Sequence, residues 1–334
     1  MLMSNKYKWP IYGHKRQLKF LQKILNQEKL ANAYLFYGPS GLGKKLSVDY
    51  FIKSIFCEST SKPCKKCNNC KMINRNTFLN LDTLGKNEDL SIENVRYFLN
   101  KILLSRVNNK RKVAVIYNID RINLHGANSL LKTLEEPPKD TTIILIANSI
   151  INLPVTILSR SQSIKFQSLT RNDMKEWLEN FKLNKKEKNT IINLSFGRPG
   201  LALSYIEDNL EVFKKDSEFI MNLLNSNTFD YLQNIDKWFN TLKKENPSYK
   251  IQELGNLTKK YLDLFELFLR DLLWIKLDRE IANDLYNKKL IDLSNKFSKK
   301  ILLKNLLNLN NLKKKLKYNV SPQLLWENLL LSIK

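Results

Sequence analysis

The sequence predicts a parallel α/β sheet domain followed by an all-helical C-terminal region, and three observations support this prediction. Eight of the nine glycines lie at or before Gly200, so turn residues are concentrated in the first 200 residues. Within that part, apolar β-rich runs at 33–37, 113–117 and 143–147 are separated by helical segments, which is typical of a parallel sheet covered by helices. Leucines at steps of three and four between 302 and 316 then indicate a helical bundle.

These patterns predict three domains, as expected for 334 residues. The sheet domain spans 1–167, a small helical lid spans 168–204, and a helical oligomerisation domain spans 205–334. The apolar run from Tyr261 to Ile275 contains four charged residues, so it is interpreted as a buried helix and not as a membrane span. The first twelve residues contain no apolar signal-peptide core. We therefore expect a cytoplasmic protein with reduced thiols.

The chain is strongly basic, with 56 Lys and Arg residues against 32 Asp and Glu residues and a net charge of +24. Such a charge attracts polyanions, including nucleic acid. However, the charge is spread along the chain, and an abundance of Lys, Asn and Ile also fits an AT-rich genome. Composition alone leaves open whether the chain contacts DNA.

The segment from Gly38 to Lys44, reading GPSGLGK, matches a phosphate-binding loop and lies between a predicted strand and a predicted helix. In such a loop the backbone N–H groups and the lysine hold nucleotide phosphates, and the next residue is Ser or Thr, which binds Mg²⁺. Here the next residue is Lys45, whose ammonium has no lone pair for a cation. We expect Gly38, Gly41, Gly43 and Lys44 to form a vestigial or weak site for ATP or ADP.

A second defect lies at the end of the predicted strand 113–117. An ATPase of this broad class places a metal-binding Asp and a water-activating Glu there. This chain has Tyr117 and Asn118 instead, and Asp120, next to Arg121, is interpreted as a solvated surface charge. Two defects in one metal site predict a chain with no Mg²⁺ site and no ATPase activity of its own.

All four cysteines of the chain, Cys57, Cys64, Cys67 and Cys70, fall within fourteen residues. The two consecutive two-residue spacers suit thiolates that converge on one tetrahedral ion. Four ligands leave no open coordination position, so the sequence predicts a structural Zn²⁺ site. An iron–sulfur cluster and disulfides are the alternatives, the latter disfavoured in the cytosol.

Arg160, His14 and His125 are three further candidate functional residues. Arg160 follows the run from Leu153 to Ser159 just beyond the sheet, and an arginine in such a place can stabilise a transferring phosphoryl group, although taken alone it is more often a surface residue. His14 and His125 show no metal-ligand spacing. We expect solvated or hydrogen-bonded structural roles for both histidines.

The stretch from Gly126 to Pro138, reading GANSLLKTLEEPP, resembles the signature of bacterial clamp-loader subunits of the AAA+ class. The phosphate loop, the cysteine cluster and the Ser159–Arg160 pair fit the same family. The segment from Val320 to Leu330 resembles the closing helix of its C-terminal collar domain. The resemblance therefore covers nearly the whole chain and implies an AAA+ fold with a lid and a collar.

The departures at Lys45, Tyr117 and Asn118 distinguish members of this family. The gamma/tau ATPase subunits carry the hydroxyl and the acidic pair that this chain lacks, so the resemblance is to a member that does not hydrolyse ATP. Arg160 occupies the position of an arginine finger offered in trans. Two further residues depart from the family pattern: Ser161 replaces the usual Cys, and Gly200, near Arg198, replaces a nucleotide-sensing arginine of the ATPases.

The resemblance implies a role in DNA replication, in a hetero-pentamer with the gamma/tau ATPase subunits and a delta subunit. That complex would place a sliding clamp on primed DNA. Two alternatives remain at this stage: an active gamma/tau-like ATPase that uses Lys44 and a relocated acid such as Asp120, and a free-standing basic DNA-binding protein.

Overall fold

The computed structural model describes residues 6–86, 88–104, 111–151, 153–207, 209–245, 247, 251–279, 281, 286–316 and 320–332. The chain divides into two compact units. The first comprises Met1–Leu183 and Ser195–Leu201, and the second comprises Asn184–Leu194 and Ala202–Lys334. The three-domain division with boundaries after 167 and 204 stays a prediction.

The first unit contains a five-stranded parallel sheet with strand order β2-β3-β4-β1-β5. Its strands are β1 (Ala33–Tyr37), β2 (Leu81–Leu84), β3 (Lys112–Ile116), β4 (Thr141–Ala147) and β5 (Gln162–Lys165). The three apolar runs in the sequence correctly predict the three central strands. The two edge strands were not predicted, because each has only four residues and neither contains a continuous apolar run.

The central strands each contain a continuous apolar run because both faces of the sheet are covered. Side chains of successive strand residues point to opposite faces. Tyr34 and Phe36 therefore pack on one face with Phe51, while Leu35 packs on the other face with Leu130. All of these residues are fully buried. A sheet buried on both faces needs the continuous apolar runs that the sequence shows.

Helices of the first unit connect these strands, and two of them have clear start signals. Asn123 caps the helix that contains most of the motif 126–138, since its side chain accepts a hydrogen bond from the Gly126 N–H at 2.8 Å. Thr170 and Asp173 form a reciprocal capping box. The helices are α1 (Lys15–Gln27), α2 (Lys44–Phe56), α3 (Asn68–Asn74), α4 (Ile92–Leu104), a 3₁₀ turn (Ile119–Arg121), α5 (Leu124–Glu135), α6 (Val155–Ser159) and α7 (Arg171–Leu178).

The remaining described elements are helical, as predicted. They are α8 (Lys185–Ser195), α9 (Pro199–Glu207), α10 (Asn209–Asn225), α11 (Thr228–Glu245), α12 (Ile251–Lys276), α13 (Asn287–Ser294), α14 (Lys299–Lys315) and α15 (Pro322–Leu331). The run 261–275 lies in α12 with its leucines buried, and the leucine repeat lies in α14 except for Leu316, which follows the end of that helix. Trp326 of α15 is fully buried, and its ring lies 5.5 Å from that of Phe265. Aromatic packing thus forms part of the core of the second unit.

Candidate functional site

The phosphate loop lies between β1 and α2, in the strand-loop-helix context that its motif requires. Gly38, Gly41 and Gly43 have φ values of 140°, 81° and 81°. These values lie in the region that favours glycine. A Cβ at Gly38 would lie 2.2 Å from the carbonyl oxygen of Phe166. Packing as well as backbone geometry therefore requires glycine at the start of the loop.

Lys44 is turned onto its own loop and is only 6% exposed. Its ammonium donates hydrogen bonds to the Gly38 carbonyl, to the Pro39 carbonyl at 2.7 Å and to Asn148 Oδ1 at 3.2 Å. Burial lowers the pKa of Lys44 to about 8, an effect opposed by the charge of Asp120 and increased by that of Lys45. The lysine contacts oxygen acceptors of the protein where a phosphate-binding lysine would contact a ligand.

Lys45 and Tyr117, two of the three residues that stand in place of the ATPase groups, contact each other. The Lys45 ammonium lies 5.4 Å from the centre of the Tyr117 ring, within the range of a cation–π interaction. Burial raises the pKa of Tyr117, so its phenol stays neutral and offers no anionic oxygen to a cation. Asn118 donates a hydrogen bond to the Gly85 carbonyl at 3.1 Å. A neutral ring paired with an ammonium therefore stands where Mg²⁺ ligands are required.

Asp120 is not a solvated surface charge, and that interpretation of the sequence is wrong. The residue is half-buried, and its Oδ1 accepts a hydrogen bond from the Asn148 N–H at 3.1 Å. The Asn148 side chain in turn accepts a hydrogen bond from Lys44. Asn148 therefore links the Asp120 carboxylate to the lysine of the loop. Asn148 was not predicted as a site residue. A signal was present, because Asn148 directly follows the end of β4 and the carboxyl ends of parallel strands lie at one edge of the sheet.

Gly200 and Arg198 lie beside the loop, but the Arg198 guanidinium bonds to the carbonyl of Ser195 and not to the loop. The Gly200 N–H donates to the Gly41 carbonyl at 2.8 Å, and a Cβ at Gly200 would lie 2.8 Å from the Gly41 Cα. Arg198 Nε donates to the Ser195 carbonyl at 3.4 Å. A side chain at position 200 would require movement of the loop, so the packing fits a chain without the sensing arginine.

The two histidines behave as expected. His14 Nε2 donates to the carbonyl oxygen of Leu42, in the phosphate loop, at 3.0 Å, and its ring lies 4.6 Å from that of Phe166. Burial lowers the pKa of His14, so the neutral ring holds the loop backbone. His125 is exposed on α5.

The four cysteines converge at the C-terminal end of α2. The four Sγ atoms lie within 4.8 Å of one another. A tetrahedral zinc site with metal–sulfur distances of about 2.3 Å requires sulfurs about 3.8 Å apart, so this group can hold a metal ion. The N–H groups of Cys64 and Cys67 donate to the sulfurs of Cys57 and Cys64, at 3.3 Å and 3.2 Å.

The electrostatics around the cysteines differ from one sulfur to the next. Backbone N–H groups lower the pKa of Cys64 to about 6, whereas burial raises the pKa values of Cys57 and Cys70.

The cysteine module, residues 57–70, is connected to the N-terminal segment, since the Lys62 N–H donates to the Lys6 carbonyl at 2.7 Å. These contacts fix the module against the rest of the first unit.

Arg160 lies at the surface, immediately after α6. Its side chain is 32% exposed and forms an ion pair with Glu135, the last residue of α5. Nη1 donates to the Thr156 carbonyl at 3.1 Å, and the neighbouring Ser161 hydroxyl donates to the Ile157 carbonyl at 2.7 Å. Glu135 was not singled out in the sequence, because nothing in its motif indicates which of two adjacent glutamates faces Arg160.

No helix in the part of the chain that the structure describes is long and apolar enough to cross a membrane.

Comparison with a solved structure places this fold in a known class. A DNA polymerase III gamma subunit-related protein from Thermotoga maritima matches with a TM-score of 0.51 and 15% sequence identity, over 94% of this chain and 97% of that one. At this identity the match establishes the fold alone. It agrees with the sheet, phosphate loop and C-terminal helices described above.

Sequence comparisons are more specific. Residues 13–170 match the family described as DNA polymerase III, delta subunit. DNA polymerase III subunit delta′ of Bacillus subtilis is 28% identical over 329 residues, 95% of this chain and 95% of that protein. DNA polymerase III subunit tau of the same organism is 32% identical over 162 residues, 48% of this chain but only 29% of that protein.

These matches, together with the phosphate loop and the clamp-loader motif on α5, show that the chain is similar to clamp-loader subunits of bacterial DNA polymerase III. The match that extends over nearly the full length is to delta′ and not to tau. The chain is therefore similar over 95% of its length to a DNA polymerase III delta-prime subunit.

Proposed function

We propose that the chain is the non-hydrolysing delta-prime subunit of a DNA polymerase III clamp loader and that it supplies Arg160 in trans to ATP on a neighbouring subunit. The observation that carries the proposal is the contact between Lys45 and Tyr117. An ammonium at this position repels a divalent cation, and the ring provides no ligand for one. Hydrolysis assisted by Mg²⁺ therefore fails at the chain's own loop.

ATP or ADP binding at Gly38, Gly41, Gly43 and Lys44 is correspondingly weak. A phosphate must displace the Lys44 ammonium from two carbonyl oxygens and the Asn148 side chain. That exchange replaces existing hydrogen bonds and adds few, so the net gain is small.

Arg160 supplies the positive charge that a neighbouring site lacks. A guanidinium presents up to five N–H donors and stabilises charge that develops on a transferring phosphoryl group. Partial exposure lets the group reach beyond its own chain. The partners are the gamma/tau ATPase subunits and a delta subunit in a hetero-pentamer that loads a sliding clamp onto primed DNA in the cytoplasm.

The cysteine module holds structural Zn²⁺. Cys57, Cys64, Cys67 and Cys70 provide four sulfur ligands, which fill a tetrahedral shell and leave no position for a substrate. The metal would tie the end of α2, at Cys57, to the start of α3, at Cys67 and Cys70, and stabilise the first unit.

Single-turnover hydrolysis by the reconstituted complex tests the arginine finger. For Arg160→Ala we expect hydrolysis at the one ATP site that receives Arg160 to slow by about 10³-fold, with assembly unchanged. Arg75→Ala, which removes another exposed arginine, is the control and should match the wild type. Unchanged hydrolysis in Arg160→Ala would reject the finger role.

The two alternative functions make different predictions for the isolated chain. Magnesium-dependent ATP turnover would indicate an active ATPase, and tight salt-dependent DNA binding without partners would indicate a free-standing DNA-binding protein.

A further inference from the structure

The guanidinium of Arg160 is held between the C-terminal ends of two helices. Nη1 donates to the Thr156 carbonyl of α6 at 3.1 Å, and Nη2 pairs with the carboxylate of Glu135 at the end of α5. The carbonyl groups at a helix C-terminus carry partial negative charge, which attracts a cation. α5 adds a full negative charge at the same place. The arginine is therefore fixed from two directions.

The ion pair between Arg160 and Glu135 contributes little to folding. The two side chains are 32% and 48% exposed, and water screens a pair at such exposure. Its main effect is on the conformational freedom of Arg160, a long side chain with many rotamers. A side chain held in one orientation before it meets a ligand loses less entropy on binding.

Glu135 does not block Arg160 from a phosphate. A guanidinium has five N–H donors. The contacts of Arg160 with Thr156, Ser159 and Glu135 use at most three of them. Among the residues that the structure describes, at least two donors therefore have no such contact and can bind phosphate oxygens while Glu135 remains in place.

We propose that Glu135 is a positioning residue that holds Arg160 in the orientation needed to reach a neighbour's nucleotide. The proposal rests on the finger role of Arg160 given above. Glu135 itself touches no nucleotide, and its effect passes through Arg160 alone.

The test uses the full reconstituted complex and single-turnover hydrolysis at the site that receives Arg160. Glu135→Ala is expected to slow hydrolysis by about 10-fold, since misplacement of a reacting group by about 1 Å has effects of this order or larger. Glu135→Gln keeps an acceptor oxygen for the guanidinium and should recover to within about threefold of the wild type. Glu136→Ala removes the adjacent exposed carboxylate and should have no effect.

Two further measurements separate positioning from a structural role. Complex assembly and the thermal midpoint of Glu135→Ala should equal those of the wild type. Combining Glu135→Ala with Arg160→Ala should be no slower than Arg160→Ala alone, because a positioning residue has no effect once its target is gone.

The outcomes distinguish the two proposals. If Arg160→Ala slows hydrolysis and Glu135→Ala does not, the positioning role is wrong while the finger stands. If Arg160→Ala itself has no effect, the finger role fails. Faster hydrolysis in Glu135→Ala would show that the carboxylate competes with phosphate, and an equal loss in Glu136→Ala would indicate a general charge effect. Both results would overturn the positioning role.

Discussion

The phosphate loop and the surface around Arg160 both carry cationic side chains in the first unit, and these side chains differ in the contacts that they make. Lys44 is 6% exposed and bonds to carbonyl groups of its own loop, and Lys45 lies on the ring of Tyr117. The Arg160 side chain is 32% exposed and retains unused donors. A buried cation must exchange its contacts to take a ligand, whereas an exposed one can add contacts. By this difference Lys44 is suited to contacts within its own chain, and Arg160 is suited to contacts with a neighbouring chain.

The largest expected contrast is between Lys44→Met and Arg160→Ala in the reconstituted complex. Because Lys44 serves the loop of its own chain, Lys44→Met should leave single-turnover hydrolysis within about twofold of wild type, against a loss of about 10³-fold for Arg160→Ala. A loss in Lys44→Met comparable to that of Arg160→Ala would show that the loop takes part in the reaction. The proposed difference between Lys44 and Arg160 would then be wrong.

Removal of the metal should have the next largest effect, on stability. Cys70→Ser, or a chelator, should lower the thermal midpoint of the first unit by about 10 °C, since a structural zinc site contributes several kcal/mol to folding. Cys67→His supplies another zinc ligand and should retain part of the stability. The fold-change caused by Arg160→Ala should stay the same in the variants that assemble.

Metal analysis of the purified protein completes this test. One zinc ion per wild-type chain and its loss in Cys70→Ser are the expected results. Iron in place of zinc would contradict the zinc assignment, and an unchanged thermal midpoint without metal would contradict a structural role.

The smallest expected effect is the pH dependence that Lys44 adds to stability. Its folded pKa is about 8, below the ordinary value of 10.5, so the unfolded chain binds more protons between these values. Stability of the wild type relative to Lys44→Met should therefore rise from about pH 7 to about pH 9.5, by on the order of 1 kcal/mol after allowance for solvent screening at the loop.

Urea unfolding midpoints of both proteins at the two pH values measure this difference. The comparison with Lys44→Met cancels the other titrating lysines and tyrosines. The opposite result, in which the wild type loses stability relative to Lys44→Met as the pH rises, would contradict the lowered pKa. It would show that the folded loop favours the charged form of Lys44.

The sequence predicted the fold most reliably where burial dictates residue type. The three central strands are apolar because both their faces are covered, and the phosphate loop follows β1 as its motif requires. Edge strands β2 and β5 could not be recognised, since half-exposed tetrapeptides such as LDTL carry little periodicity.

Within the candidate site, the residue types were predicted but several contacts were not. The absence of metal ligands at Lys45 and Tyr117 is visible in the sequence, whereas their mutual contact depends on how α2 and β3 pack. Asp120 was misinterpreted because its neighbour Arg121 is exposed, while Asp120 itself turns toward Asn148. Side-chain direction after a strand end depends on tertiary packing, which a local pattern does not contain.

The close approach of Gly38 to the Phe166 carbonyl bears on how such loops change during evolution. Selection for a stable sheet domain is enough to retain Gly38, and the contact between Gly200 and Gly41 acts in the same way. At Gly43 a Cβ would meet no atom within 4 Å, so only its φ of 81° resists replacement, and Asn or Asp tolerate such a backbone best. A recognisable phosphate-loop sequence can therefore outlast the nucleotide binding for which it arose.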